Sequence, residues 1–292
     1  MLEVNRPVAV VTGASSGIGK ATALRLVARG WQLIGVGRDP RRTADAASEI
    51  TAAARGGGAC VMLHADFALM AQVARTADEI TDRAPRIDVL VNNAGGVRDR
   101  RIVTAEGTEA TFATNHLAPF LLTRMLLPRL RADAATSPPG AVRVIAVSSS
   151  AHRQADGLDW ADLQSLDAGH PVVAYCRAKL ANLLFTRELA RRESQFGIVA
   201  QAMHPGVVAS NFASHAPDAM RAHLASSDAV PPNEAARTLV WLATSVEGGG
   251  QGGRYFHLGA EETPSDAALD GGAAIRLWAE SEKLLGTLTY GK

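Results

Sequence analysis

Short, near-continuous apolar runs alternate along the chain with longer stretches whose apolar positions recur every three or four residues. A strand buried on both faces by helices needs the first pattern, and an amphipathic helix needs the second. Strands are therefore predicted at residues 7–11, 32–36, 60–64, 87–91, 142–147, 198–203 and 253–258. Helical periodicity fills 20–29, 40–55, 69–83, 104–131, 172–193 and 234–243, with an interruption expected at Pro119. Gly56, Gly57 and Gly58 stop the second helix, and 134–140 is a polar, proline-bearing turn. No internal repeat or linker divides the chain, so one domain over residues 1–292 is expected. The alternation predicts an α/β fold: a doubly wound, Rossmann-type parallel sheet of seven strands with helices on both faces.

Composition removes alternatives more than it adds detail. A hydrophobic content of 47% in 292 residues is ample for a packed core. The formal net charge is +1, without a long run of one sign, so neither nucleic acid nor a membrane surface is expected as partner. Cys60 and Cys176 offer no disulfide framework, which points to a reduced, cytoplasmic setting. No apolar run reaches the roughly eighteen residues of a spanning helix. The first strand begins within ten residues of Met1, leaving no room for a signal peptide. No metal-ligand spacing is present, so no metal is expected.

The candidate chemistry gathers at strand ends, where an open parallel sheet binds its ligands. The first strand runs into Gly13-Ala14-Ser15-Ser16-Gly17-Ile18-Gly19 and then a helix. Glycines there let a phosphate approach the backbone, and the helix N-terminus attracts its charge. Arg38, Asp66, the run Asn92-Asn93-Ala94-Gly95, Ser148 to Ser150, and His204-Pro205-Gly206 fall at the ends of later strands. Tyr175 and Lys179 are four positions apart, one turn apart on the same helix face. An ammonium about 4 Å from a phenolate favours the charged form by roughly 4 kcal/mol, or about 3 pKa units, at an effective dielectric of ~20. Such a pair suits proton transfer to or from a substrate oxygen.

Taken together, the chain resembles the short-chain dehydrogenase/reductase family, single-domain branch. The residues that carry the likeness are Thr12 to Gly19, Asn92 to Gly95, Asn115, Ser148-Ser149, Tyr175 to Lys179 and Pro205-Gly206, over residues 7 to 259. The run from Ala174 to Leu189 and the segment from Leu277 to Leu284 resemble the retinol-dehydrogenase-like group. The resemblance implies a nicotinamide cofactor and four catalytic residues. Tyr175 would be the general acid in reduction and the base in oxidation. Lys179 would lower its pKa and bind the nicotinamide ribose, and Ser149 would hold the substrate oxygen. Ser148 or Ser150 remain alternatives for that role. Asn115 would anchor a proton-relaying water, or simply bond backbone in an interrupted helix.

The same likeness places the cofactor on Gly13, Ser15, Ser16, Gly17, Ile18 and Gly19, with Asp66 at the adenine and Asn93, Ala94 and Gly95 beside the adenosine ribose. Pro205, Gly206, Val208 and Ser210 would also bind the cofactor, Ser210 at the nicotinamide carboxamide or the pyrophosphate. Asp39 fits the general spacing for a ribose 2′-hydroxyl partner. In this family the deciding position is held here by Gly37, followed by Arg38, which suits a 2′-phosphate. NADP(H) is therefore expected over NAD(H). Residues 207–232, with Phe212, His215, Pro217, Met220 and Leu224, would form a substrate lid, and 260–292 a C-terminal extension that covers the pocket or pairs subunits. Residues 153–171 read as a surface excursion, with His152 and His170 as exposed loop histidines. The implied reaction is hydride transfer between the nicotinamide and a small apolar alcohol, aldehyde or ketone. No N-terminal anchor is seen, so retinoids themselves are not implied, and a homodimer or homotetramer is the family's expectation. The rival readings are a catalytically silent nucleotide sensor on the same fold, and a dehydratase or epimerase using the cofactor in a closed cycle.

Overall fold

The computed structural model describes residues 2–3, 5–167, 170–210, 212 and 216–288. Its centre is one sheet in the order β3-β2-β1-β4-β5-β6-β7-β8. The strands are β1 Val8–Thr12, β2 Gln32–Gly37, β3 Ala59–His64, β4 Val89–Asn92, β5 Arg143–Val147, β6 Val199–His204, β7 Tyr255–His257 and β8 Ala260–Glu261. Every pairing is parallel except β7 with β8, a short antiparallel hairpin that makes the count eight rather than seven. The hairpin turns through Leu258 and Gly259, both at positive φ, too tightly for apolar periodicity to reveal it.

Alternation along β1 sends side chains to both faces, as a doubly wound sheet requires. Val10 joins a core with Met70 and Ile80 of α3 (Met70–Arg83), Phe120 and Leu126 of α5 (Ala118–Ala135), and Leu189 of α6 (Pro171–Glu193). Ala9 and Val11 face the opposite way, onto Leu26 of α1 (Gly17–Val27), Ile50 of α2 (Pro40–Ala53) and Leu239 of α8 (Pro232–Thr244). The chain reverses direction across the sheet between β1 and β4, which both pair with neighbours leading away from them. That switch point opens a crevice at the strands' carboxyl ends.

The helix expected over 104–131 begins later and breaks earlier than its periodicity implies. Residues 103–109 form a turn instead, closed by the Thr104 amide on the Thr108 carbonyl at 2.8 Å. Glu109 then caps α4 (Ala110–Phe112) by accepting from the Phe112 amide at 2.8 Å. A π-helical turn over Ala113–Leu117 follows before α5 starts. Pro119 has no N–H for the carbonyl one turn back, so the ladder must break in that preceding turn, which is the π-helical one holding Asn115.

Beyond α7 (Asp218–Ala225) and α8, the C-terminal residues fold as β8, α9 (Asp266–Leu269) and α10 (Gly271–Thr287). Trp278 of α10 packs edge-on to Phe120 at 5.0 Å and stacks on Phe185 of α6 at 5.9 Å. This stretch therefore builds core against α6 rather than standing apart from it. Among the described residues no helix is long and apolar enough to cross a membrane.

Candidate active site

Thr12, the last residue of β1, holds the floor of the crevice together. Its hydroxyl accepts from the Asn93 and Ala94 amides at 3.0 and 2.9 Å and faces the Val91 carbonyl at 3.3 Å. The Asn93 side chain donates back to the Thr12 carbonyl at 2.8 Å, so its amide locks β1 to β4 while the residue still lines the crevice. Gly13 and Gly17 take φ of 70° and 55°, values that favour glycine. A Cβ on Gly19 would collide with the Gly13 carbonyl oxygen and with Asn93 Nδ2. Gly19 is therefore buried beneath the turn, while Gly13, Ser15, Ser16, Gly17 and Ile18 line the crevice. Ser16 stands at the N-cap of α1 but makes no side-chain cap bond.

The crevice encloses about 830 Å³, within the range of cofactor and ligand pockets. At one end lie Arg38, Asp39, Arg42, Asp66 and Arg98. Asp39 accepts from the Arg42 amide at 2.8 Å as the N-cap of α2, and that bond holds its carboxyl below the usual range. It is engaged by its own helix. A Cβ on Gly37 would strike Thr43 and lie 2.8 Å from Ser15 Cβ, so no acidic side chain fits there. Arg98 escaped the sequence reading; burial lowers its pKa and Arg38 across the crevice adds to this, against the pull of Asp66. Its signal was a cation three positions past Gly95 at a strand end.

At the other end Tyr175 and Lys179 come together, both buried, with Lys179 Nζ 5.6 Å from the Tyr175 ring centre. Lys179 Nζ donates to the Val147 carbonyl at 3.0 Å. Ser148 Oγ donates to the Lys179 carbonyl at 2.9 Å, which removes Ser148 from the serine alternatives, and Ser150 is exposed. Ser149 Oγ accepts from the Ala151 amide at 3.2 Å, which leaves its own hydrogen for Tyr175 or a ligand. Asn115 lies behind Gly95 rather than in the crevice. Its amide donates to the Gly96 and Thr111 carbonyls, each at 2.8 Å, and its oxygen accepts from the Gly96 amide at 3.2 Å. A Cβ on Gly95 would lie 2.6 Å from Asn115 Oδ1 and 3.3 Å from Lys179 Nζ, so glycine keeps these two polar groups adjacent.

The electrostatics differ from the expectation that Lys179 acidifies Tyr175. Burial pushes the Tyr175 phenol upward, with the Ser149 hydrogen bond working against it, so the proton is held. Burial pushes Lys179 down to about 8 from an ordinary 10.5. Between those values the unfolded chain binds the extra proton, so Lys179 makes stability rise with pH from about 8 to about 10.5. Below that window both states carry the charge and the burial penalty is complete. Urea denaturation at pH 7.5 and 10 should therefore find wild type gaining on Lys179→Met by about 2–3 kcal/mol at the higher pH.

Pro205, Gly206, Val208 and Ser210 line the same end, with Ser210 Cβ 3.4 Å from where a Gly17 Cβ would stand. Of the lid residues, Phe212 packs on the Tyr175 ring at 5.5 Å, and Ala216, Met220 and Val97 complete that apolar cluster; His215 lies outside the described residues. His152 is a correction, being fully buried instead of exposed. His170 is exposed as expected and caps α6. His257, in register with His204 on the last pair of parallel strands, also faces the crevice and was missed. Among the described residues no cluster of metal-ligating side chains occurs.

A family model described as short chain dehydrogenase matches residues 7–221. The chain belongs to the short-chain dehydrogenase/reductase family. Within this short-chain dehydrogenase, the similarity extends well beyond the matched segment. Retinol dehydrogenase 14 of Homo sapiens is 35% identical over 96% of this chain and 86% of that protein. Dehydrogenase/reductase SDR family member 13 of Bos taurus is 40% identical over 95% of this chain and 73% of that protein. The dehydrogenase thus falls in the retinol-dehydrogenase-like group. Among solved structures, the RhlG/NADP active-site complex of Pseudomonas aeruginosa aligns with a TM-score of 0.69 at 28% identity, covering 92% of this chain and 96% of that one. The fold of this short-chain dehydrogenase is one that binds a nicotinamide cofactor, and the glycine turn, open N-cap and crevice volume fit such a group.

Proposed function

We propose that the chain is an NADP(H)-dependent oxidoreductase that moves a hydride between the nicotinamide and an apolar alcohol, aldehyde or ketone, with Tyr175 as general acid/base. One observation carries the reading: Tyr175 and Ser149 share the inner end of a crevice whose outer end presents Arg38, with Asp39 beside it engaged as the cap of α2. When bound, the nicotinamide supplies or accepts the hydride at the substrate carbon. In reduction the Tyr175 phenol gives its proton to the carbonyl oxygen while the Ser149 hydroxyl donates a hydrogen bond to that oxygen. Burial keeps the phenol protonated, which suits the donor role. Lys179, held by the Val147 carbonyl and close to neutrality, would replace the proton; Asn115 would fix the Gly95–Gly96 backbone beside it. In oxidation Tyr175 and Lys179 would work in the opposite sense.

The cofactor preference is supported by Asp39 being occupied as a helix cap and by the NADP complex of a relative. An apolar substrate is supported by Val97, Phe212 and Met220 around Tyr175 and by the retinol dehydrogenase names of relatives. The free cysteines support a reducing compartment. Steady-state assays with NADPH and NADH against a panel of apolar aldehydes and ketones test the whole reading. Arg38→Ala should raise the KM for NADPH by about tenfold, the worth of one charge-assisted contact of 1.5–3 kcal/mol partly screened by solvent, and leave that for NADH little changed. Equal effects on both cofactors would overturn the preference. A silent sensor would bind NADPH and turn over nothing in the panel.

A further inference from the structure

His152 is a fully buried histidine near the reacting end that the reaction above does not use. Both ring nitrogens meet backbone. Nδ1 lies 2.7 Å from the Ser149 carbonyl oxygen, and Nε2 accepts from the Ser265 amide at 3.1 Å. A carbonyl only accepts and an amide N–H only donates, so the ring proton is on Nδ1 and the imidazole is neutral. The His152 backbone amide also reaches the Ser149 carbonyl, at 3.2 Å, which therefore accepts twice from the same residue. The ring is wedged edge-on against Tyr255 at 5.3 Å.

On its far side the imidazole meets a short strap, residues 262–265, that leaves the sheet after β8. Glu262 accepts from Arg153 at 2.7 Å and pairs with His204 at 3.0 Å; Arg153 also donates to the Thr263 carbonyl at 2.5 Å. The strap is thus fastened to the residues after β5 and to the end of β6, the strands that deliver Ser149 and His204-Pro205-Gly206. Among the described residues, His152 is the one that joins it to Ser149 itself.

We propose that His152 is a positioning residue: its imidazole ties the C-terminal strap to the Ser149 carbonyl and so sets the direction in which the Ser149 hydroxyl points. The role rests on Ser149 holding the substrate oxygen, as argued above. Ser149 is the N-cap of a 3₁₀ turn, with extended backbone at φ −156° and ψ 151°. A carbonyl held by two donors fixes that ψ and so the entry into the turn whose Ala151 amide the hydroxyl accepts from. Without the imidazole the carbonyl keeps only the longer 3.2 Å bond from the His152 backbone amide and loses its tie to the strap, so the hydroxyl's aim at the Tyr175 phenol loosens.

Two variants separate positioning from bulk. His152→Phe keeps the ring's packing and removes both nitrogens; His152→Asn keeps a donor near the place of Nδ1. With NADPH and decanal as probe, His152→Phe should lower kcat by about 30-fold and leave the KM for NADPH within about twofold, the scale of a misplaced reacting group. His152→Asn should recover most of that loss. Amide exchange by mass spectrometry should show 148–155 and 262–268 loosening together in His152→Phe while 13–19 stays unchanged. Equal kcat in Phe and Asn variants, or one segment loosening without the other, would overturn the proposal. Absence of decanal turnover in wild type would count against the oxidoreductase reading and not against the tie, which the exchange experiment reads by itself.

Discussion

Tyr175→Phe is expected to lower kcat by about a thousandfold, the middle of the range for removing a positioned general acid. The phenol is buried against Phe212 and its ring packing survives the change, so the fold and the crevice should hold. NADPH should still bind with nearly wild-type affinity, because the glycine turn and Arg38 lie at the other end of the site. The loss should therefore sit in kcat and not in the cofactor KM. Single-turnover kinetics with saturating NADPH would read it directly. A variant with kcat within about tenfold of wild type would remove Tyr175 from proton transfer, since that range begins near a hundredfold.

Gly19→Ala should be the most damaging conservative change in the nucleotide turn. The added methyl would meet the Gly13 carbonyl, which is backbone, and the Asn93 amide, which is held by Thr12. Neither can retreat without pulling β1 away from β4. Overpacking of this kind costs about 1–3 kcal/mol, and distortion of the turn would pass that into cofactor binding. NADPH affinity should fall by roughly 5- to 150-fold, at about 1.4 kcal/mol per factor of ten. Fluorescence titration of NADPH into the variant checks it, with circular dichroism to confirm folding. Affinity within about twofold of wild type would show that the turn is looser than its contacts imply.

The sequence made the sheet legible because parallel strands buried on both faces read as unbroken apolar runs; seven of the eight strands announce themselves this way. The eighth, two residues long, carries no pattern. That the glycine turn, Arg38, Asp66 and the Tyr175–Lys179 pair share one crevice was legible because each sits where a strand ends or one helical turn from its partner. Other features depend on neighbours distant in the chain. His152 looked like a loop residue because its burial comes from Tyr255 and the strap at 262–265, more than a hundred positions on. The direction of the Tyr175 shift was misjudged since spacing along a helix says nothing about how much water the fold removes. Asp39 matched a ribose-binding spacing, yet it caps a helix, a competing use of the same carboxylate at a strand-to-helix turn.

The Thr12 hydroxyl, with three backbone partners, has a consequence for how the protein responds to its ligand. A cleft whose base is stapled at the sheet's dividing line has no freedom to widen or narrow there. Phe212 and Met220, which pack over Tyr175, are not tied to that staple. Melting shifts on adding nucleotide would then report affinity alone through mass action, with no contribution from a rearranged base.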